Sequence, residues 1–165
     1  MTRRLQSLMI ANAGLVLLLG MLAGLPFAFN LIGKVELWPI PFSLDVQIPG
    51  TERGWRAAHI GNIMNGTMLL AVAAVFHRLT LPDGARKIVA WGLIATVWGN
   101  AVFYVVAACM TDGRGLTFGA NRFGGGDWAN SIGFLAAMAA VGAVITALVQ
   151  VVRGAFASAA VASGD

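Results

Sequence analysis

Gly54-Trp-Arg-Ala-Ala-His59-Ile-Gly-Asn62-Ile-Met-Asn65-Gly66, continued by Thr67-Met-Leu-Leu-Ala-Val-Ala-Ala-Val-Phe76-His77-Arg78-Leu79, is the stretch on which the fold turns. Residues 57–79 meet the requirement for crossing a hydrocarbon core, about 20 mostly apolar residues. Yet a histidine and two asparagines lie near one end of it. Strongly polar or ionisable side chains inside a bilayer cost about 2.5–3.5 kcal/mol each on insertion scales unless they face the protein interior, so they mark a site.

Three further stretches have the same character, roughly 7–31, 88–110 and 129–152. Across the 165 residues, 58% are hydrophobic and 11% charged, against about 45–50% and 25% in soluble domains. The expected fold is all-α: an integral membrane four-helix bundle, one membrane domain over residues 1–165, with ordered loops at one mouth. The first span is read as retained, because the apolar run Leu8–Ile32 exceeds the roughly 7–15-residue core of a signal peptide. The formal charge of +4 comes from basic residues scattered over loops and ends, which excludes a nucleic-acid footprint. Six of them (Arg3, Arg4, Arg78, Arg86, Lys87, Arg153) share one side and five (Lys34, Arg53, Arg56, Arg114, Arg122) the other, favouring an N-in, C-in topology. Cys109 is the only cysteine, so there is no intrachain disulfide.

The first connection holds Trp38, Pro39, Pro41, Pro49, Gly50 and Gly54; it is expected to be irregular, with its aromatics at headgroup level. The short turn Thr80–Lys87 makes spans two and three an antiparallel hairpin. The third connection, 111–127, is rich in glycine, and it lies with the first on the His59 side. Small residues in spans three and four (Gly92, Gly99, Ala136 to Ala147) allow close helix approach, within one chain or between copies. The tail from Ala155 to Asp165 is expected to fray.

His59 stands between two roles, a structural histidine bonded to a loop carbonyl and a ligand for haem iron or another transition metal. His77, the only other histidine, lies roughly 27 Å along the same helix at 1.5 Å per residue, so the two cannot share a metal. A haem on His59 would therefore have an open or water-bound second face, or one of the methionines there. Asn62 and Asn65 are neighbours on one helix, and Asn100 and Tyr104 on the next. Counted from the hairpin turn, Asn65 and Asn100 lie at one depth, with Tyr104 and His59 nearer the mouth. These residues are expected to line one cavity. No span carries an acidic residue, so a carboxylate proton relay is excluded. Nucleotide loops, paired carboxylates, a nucleophile elbow and a Cys-x-x-Cys pair are also absent.

Gly54-Trp55 with Ala58-His59, then Asn65-Gly66, then Trp98-x-Asn100-x-x-Phe103-Tyr104, then Gly115-Leu-Thr-Phe-Gly-x-Asn121-x-Phe123-Gly-x-Gly-Asp127 resemble the styrene oxide isomerase family over roughly residues 25–135. The resemblance implies a four-span homotrimer in a bacterial inner membrane. It implies ferric haem b acting as a Lewis acid that isomerises styrene oxide or a related aryl epoxide to the aryl acetaldehyde (phenylacetaldehyde) by ring opening and a 1,2-hydride shift. By position, His59 would be the axial ligand, Tyr104 and Asn65 catalytic, and Asn62, Trp98, Asn100, Phe103, Phe118 and Asn121 pocket residues. The chain departs from the family at Thr96–Val97, where an acidic residue can stand. A membrane haem protein that passes electrons or binds a ligand is the alternative, and a non-catalytic membrane subunit is a second.

Overall fold

The computed structural model describes residues 2–162. Four long helices carry the chain: α1 (Thr2–Ile32), α2 (Glu52–Val75), α3 (Asp83–Val102) and α4 (Trp128–Ala162). Each is long and apolar enough to cross a membrane. The described fold is thus the expected all-α bundle, but its helices outrun the hydropathy windows. α2 begins at Glu52 because the Thr51 side chain accepts a hydrogen bond from the Gly54 N–H at 3.1 Å, and Glu52 in the first turn complements the helix dipole. Arg53 and Arg56 therefore ride on the helix and not in the connection. α4 continues through the segment expected to fray, as far as Ala162; residues 163–165 lie outside the described range. Alanine favours helix, and Ser158 anchors this end: it accepts from the Thr80 N–H at 2.9 Å and sits 2.8 Å from the Arg78 carbonyl.

A 3₁₀ turn, Phe76–Arg78, ends α2. α3 runs on through a π-helical turn, Phe103–Ala107, and a last α-turn, Ala108–Met110. The connections are less irregular than expected. β1 (Val35–Glu36) pairs antiparallel with β2 (Ser43–Leu44), and β3 (Ala120–Asn121) with β4 (Gly124–Gly125). The first loop is tied back to the bundle. Asn30 Nδ2 donates to the Ile48 carbonyl at 3.2 Å, and Trp55 Nε1 to that of Pro49 at 2.8 Å.

α1 packs chiefly on α2, and α3 on α4, while α3 also touches α1 and α2. The main apolar core lies toward the hairpin-turn end, with Met9, Val16, Leu69, Phe76, Leu93 and Val97 almost fully buried. Small residues set the helix spacing: a Cβ on Gly20 would come within 2.9 Å of Ile63, one on Gly92 within 3.2 Å of the Ala143 carbonyl, and one on Gly99 within 2.9 Å of that of Ala136. The glycines of span three therefore act inside one chain, against α4. Between the helices run single polar links, each worth on the order of 0.6 kcal/mol in membrane bundles. Gln6 donates to the Ala73 carbonyl, Trp98 to Asn12 Oδ1 and Asn100 to Asn65 Oδ1. Outward, α1 exposes Leu15, Leu18, Leu22 and Leu25, and α4 exposes Ile145, Val149, Val152 and Phe156. Such apolar surfaces suit lipid.

Candidate functional site

His59 sits half-buried on α2, facing α1. Its Nδ1 lies 2.8 Å from the Gly20 carbonyl oxygen. A carbonyl only accepts, so the bond places the proton on Nδ1 of the neutral ring and leaves Nε2 with its lone pair. Gly24 makes room, since a Cβ there would stand 3.0 Å from both Cε1 and Nδ1 of the imidazole. The Phe27 ring stacks beside His59, centroids 6.2 Å apart, and the Arg56 guanidinium lies 5.8 Å from the Phe27 centroid while pairing with Glu52. Among the described residues, no group of three or more His, Cys, Asp or Glu converges as a metal cage. A metal that brings its own equatorial ligands needs one protein donor, and Nε2 of His59 is suited to be that donor. An imidazole whose other nitrogen is fixed by a carbonyl is the usual form of a metal-binding histidine.

A second polar group forms between α2 and α3. Asn100 Nδ2 donates to Asn65 Oδ1 at 2.9 Å, and Asn65 Nδ2 donates to the Gly61 carbonyl at 2.8 Å. The Asn65 amide is thus held at both ends and keeps one Nδ2 hydrogen for another acceptor. Tyr104, on the π turn, lays its ring over Gly61, where a Cβ would meet Cε2 and Cζ at 2.5 Å. Phe103 tilts against Tyr104 with centroids 5.4 Å apart, and the buried Cys109 thiol donates to the Tyr104 carbonyl at 3.3 Å. π turns recur at functional sites; this one turns two consecutive aromatics toward α2.

The two groups do not share one cavity within a chain. His59 and Asn65 are six residues apart, which at 3.6 residues per turn places them about 120° apart around α2. One flank meets α1, the other α3. On the short arc between them lies the buried Asn62, and on the wide, outward arc α2 exposes Ile60 and Met64. The expectation of a single cavity lined by histidine, asparagines and tyrosine is corrected accordingly. Asn62 is fully buried beside Gly20, donates to the Ala58 carbonyl at 2.8 Å, and leaves Oδ1 without a partner.

The other expected pocket residues disperse. Trp98 turns to α1, donating to Asn12 at 2.8 Å. Phe118 is exposed and meets the edge of Phe134. Asn121 braces the third loop, donating to the Gly113 carbonyl and accepting from the Phe123 N–H, each at 2.9 Å. Phe103 lines a cavity of about 310 Å³ between the start of α2 and the third loop. Thr96 is buried, with its hydroxyl 2.8 Å from the Gly92 carbonyl and 3.3 Å from that of Ala140. Thr96 thus makes a satisfied α3–α4 contact.

Residues that sequence reasoning passed over hold these pieces in place. Asn130, fully buried, accepts from the Gly115 N–H at 2.7 Å and donates to the carbonyls of Thr117 and Gly119, while its own N–H is capped by Asp127 Oδ1 at 2.7 Å. The pattern Asp127-Trp-Ala-Asn130 was a readable helix start. Asn12 and the Gly20 carbonyl had no such signal.

Fold and sites define the class: a small four-span helical membrane protein whose polar chemistry is carried by a few side chains set between apolar helices. Residues 5–156 match the family model described as styrene oxide isomerase. A styrene-oxide isomerase of Pseudomonas fluorescens is 34% identical over 119 residues, covering 72% of this chain and 69% of that protein. The chain belongs to the styrene oxide isomerase family.

Proposed function

We propose that the chain is an epoxide isomerase that converts styrene oxide or a related aryl epoxide into the aryl acetaldehyde, with ferric haem b held by Nε2 of His59. The observation that carries this is the 2.8 Å bond from His59 Nδ1 to the Gly20 carbonyl, which orients the imidazole and leaves Nε2 with its lone pair as a donor. Haem, when bound, supplies a ferric iron that acts as a Lewis acid toward an epoxide oxygen. Everything else falls to the protein: binding, orientation and exclusion of water.

Asn65 and Tyr104 are the donors offered to the epoxide oxygen. The Asn65 amide is fixed by Asn100 and by the Gly61 carbonyl, so its remaining N–H is aimed before substrate arrives, and preorganised donors are the effective ones. Tyr104 Oη is directed by the packing of its ring on Gly61. Opening at the benzylic carbon leaves positive charge that the arene of the substrate stabilises. A hydride then migrates from the adjacent carbon, giving the aldehyde without net redox change. Water at this stage would yield a diol, and the apolar walls of the helices keep it out. No acid–base dyad is needed.

Because His59 and the Asn65–Tyr104 pair lie on different flanks of α2, the complete site is assigned to the contact between copies. The His59 flank of one copy faces the Asn65–Tyr104 flank of the next, across the exposed Ile60–Met64 ridge. Two unlike surfaces in contact form a heterologous interface, which forms a ring where the rotation between copies closes; a homotrimer is the ring proposed. The membrane is proposed to be a bacterial inner membrane, with both termini in the cytoplasm.

Purified protein, produced with haem available, should show a Soret band. His59→Ala should abolish it and His77→Ala should keep it. A colourless wild type, or a Soret band that survives in His59→Ala, would refute the assignment.

A further inference from the structure

The cavity beneath the third loop belongs to neither polar group, yet it joins one of them. Its floor is Gly54 and Ala57 of α2, its back wall is Phe103, and its roof is Arg114, Leu116 and Phe123. Gly54, Ala57, Gly61 and Asn65 follow one another at spacings of three, four and four, so they form one flank of α2. That flank runs from the cavity floor, under the ring of Tyr104, to the Asn65–Asn100 pair. From Ala57 to Gly61 is about 6 Å along the helix. Phe103 stands at the junction: it lines the cavity on one side and packs against Tyr104 on the other, with centroids 5.4 Å apart.

The walls suit a small neutral aromatic. Phe103, Leu116, Phe123 and Ala57 offer apolar area, and a volume of about 310 Å³ is at the lower end of the range for small-molecule pockets, about 300–1,000 Å³. The roof is built to stay in place. Arg114, at φ 61°, holds its guanidinium 3.7 Å from the centroid of Phe123, and Arg122 lies 4.6 Å from the same ring. Asn130 ties the backbone of Gly115, next to Arg114, to the start of α4. On the rim, Arg53 and Asp112 mark where the cavity opens toward water.

We propose that this cavity is a second binding site for small aryl compounds, a vestibule through which epoxide reaches and aldehyde leaves the Asn65–Tyr104 flank, with Phe103 as the partition between the two. The proposal rests on the isomerase function above, and its test has one arm that does not need turnover. In haem-replete membranes, Leu116→Cys is alkylated with N-ethylmaleimide in the presence and absence of ethylbenzene, an aryl hydrocarbon with no epoxide. Cys109 is buried, and the wild type gives the background rate. Ethylbenzene should slow labelling of Leu116→Cys at least threefold while leaving Asp83→Cys, at the opposite mouth, unchanged. In the second arm, Ala57→Leu fills the floor. It should keep the Soret band and lower kcat/KM for styrene oxide about tenfold, and more for a ring-substituted epoxide. Absence of protection, or equal slowing at both cysteines, overturns the binding site. Protection with Ala57→Leu kinetics within twofold of wild type overturns the vestibule. A wild type that binds ethylbenzene but turns over no epoxide defeats the isomerase function and the vestibule with it, leaving the aryl site standing.

Discussion

Gly61→Ala tests the geometry at its tightest point. A Cβ at residue 61 would lie 2.5 Å from Cε2 and Cζ of Tyr104 and 3.0 Å from Cδ2, whereas ordinary contact begins near 3.4 Å. Because helix α2 cannot retreat without breaking the Asn65–Asn100 bond, the ring must move by about 1 Å, the scale of misplacement that can cost a reaction about 10²-fold. Such a factor corresponds to about 2.7 kcal/mol of transition-state stabilisation. Stability should change less: overpacking costs about 1–3 kcal/mol, partly offset by the roughly 0.5–1 kcal/mol that alanine gains over glycine inside a helix. The assay is initial-rate conversion of styrene oxide by purified protein, beside the Soret absorbance and the thermal midpoint. Gly61→Ala should keep the band, lower kcat about 100-fold and shift the midpoint by a few degrees. Gly14→Ala is the control, because a Cβ there meets nothing within 4 Å, and it should be as active as wild type. A Gly61→Ala enzyme with wild-type kcat would refute the placement of Tyr104 at the reacting oxygen.

Tyr104→Phe and Asn65→Ala should each retain haem and lose about 10²-fold or more in kcat, the scale of removing one preorganised donor; unchanged rates would move the catalytic assignment elsewhere. Co-expressing His59→Ala with Tyr104→Phe tests whether the site is shared between copies. Random mixing around a closed ring pairs an intact histidine flank with an intact tyrosine flank at roughly a quarter of the interfaces, so roughly a quarter of wild-type activity should return, and none if each site lies within one chain. Asn130→Ala leaves the buried Gly115 N–H without its acceptor. It should destabilise the third loop by about 1–3 kcal/mol, read as faster proteolysis between residues 111 and 127, with the Soret band retained.

Helix number, order and the α2–α3 hairpin were legible because the constraint behind them is long-range and simple: a bilayer demands about 20 apolar residues per crossing. Helix ends were not, since hydropathy reports where lipid begins and not where hydrogen bonding starts. Thr51 starts α2 among charged residues that a hydropathy window discards, and Ala155–Ala162 extends α4 through a segment whose small residues resemble a loose tail. Depth was readable too: Asn65 and Asn100, counted equally far from the turn, meet at 2.9 Å. Azimuth was the failure. Six residues separate His59 from Asn65, and the helical wheel puts them on different flanks, which equal depth does not reveal. The π turn at Phe103–Ala107 has no composition signal, and it decides which way Phe103 and Tyr104 point. Trp98 and Asn121 stood in family-like blocks, but one meets a polar partner on α1 and the other braces a loop.

Isomerisation at this site is decided by giving purified, pigmented protein styrene oxide with no reductant or other co-reactant and following the products over time. An isomerase built on His59, Asn65 and Tyr104 forms phenylacetaldehyde over many turnovers, with no net change in iron oxidation state and no diol. Formation of the diol, a requirement for reductant, or no consumption of epoxide by protein that carries its pigment would contradict it.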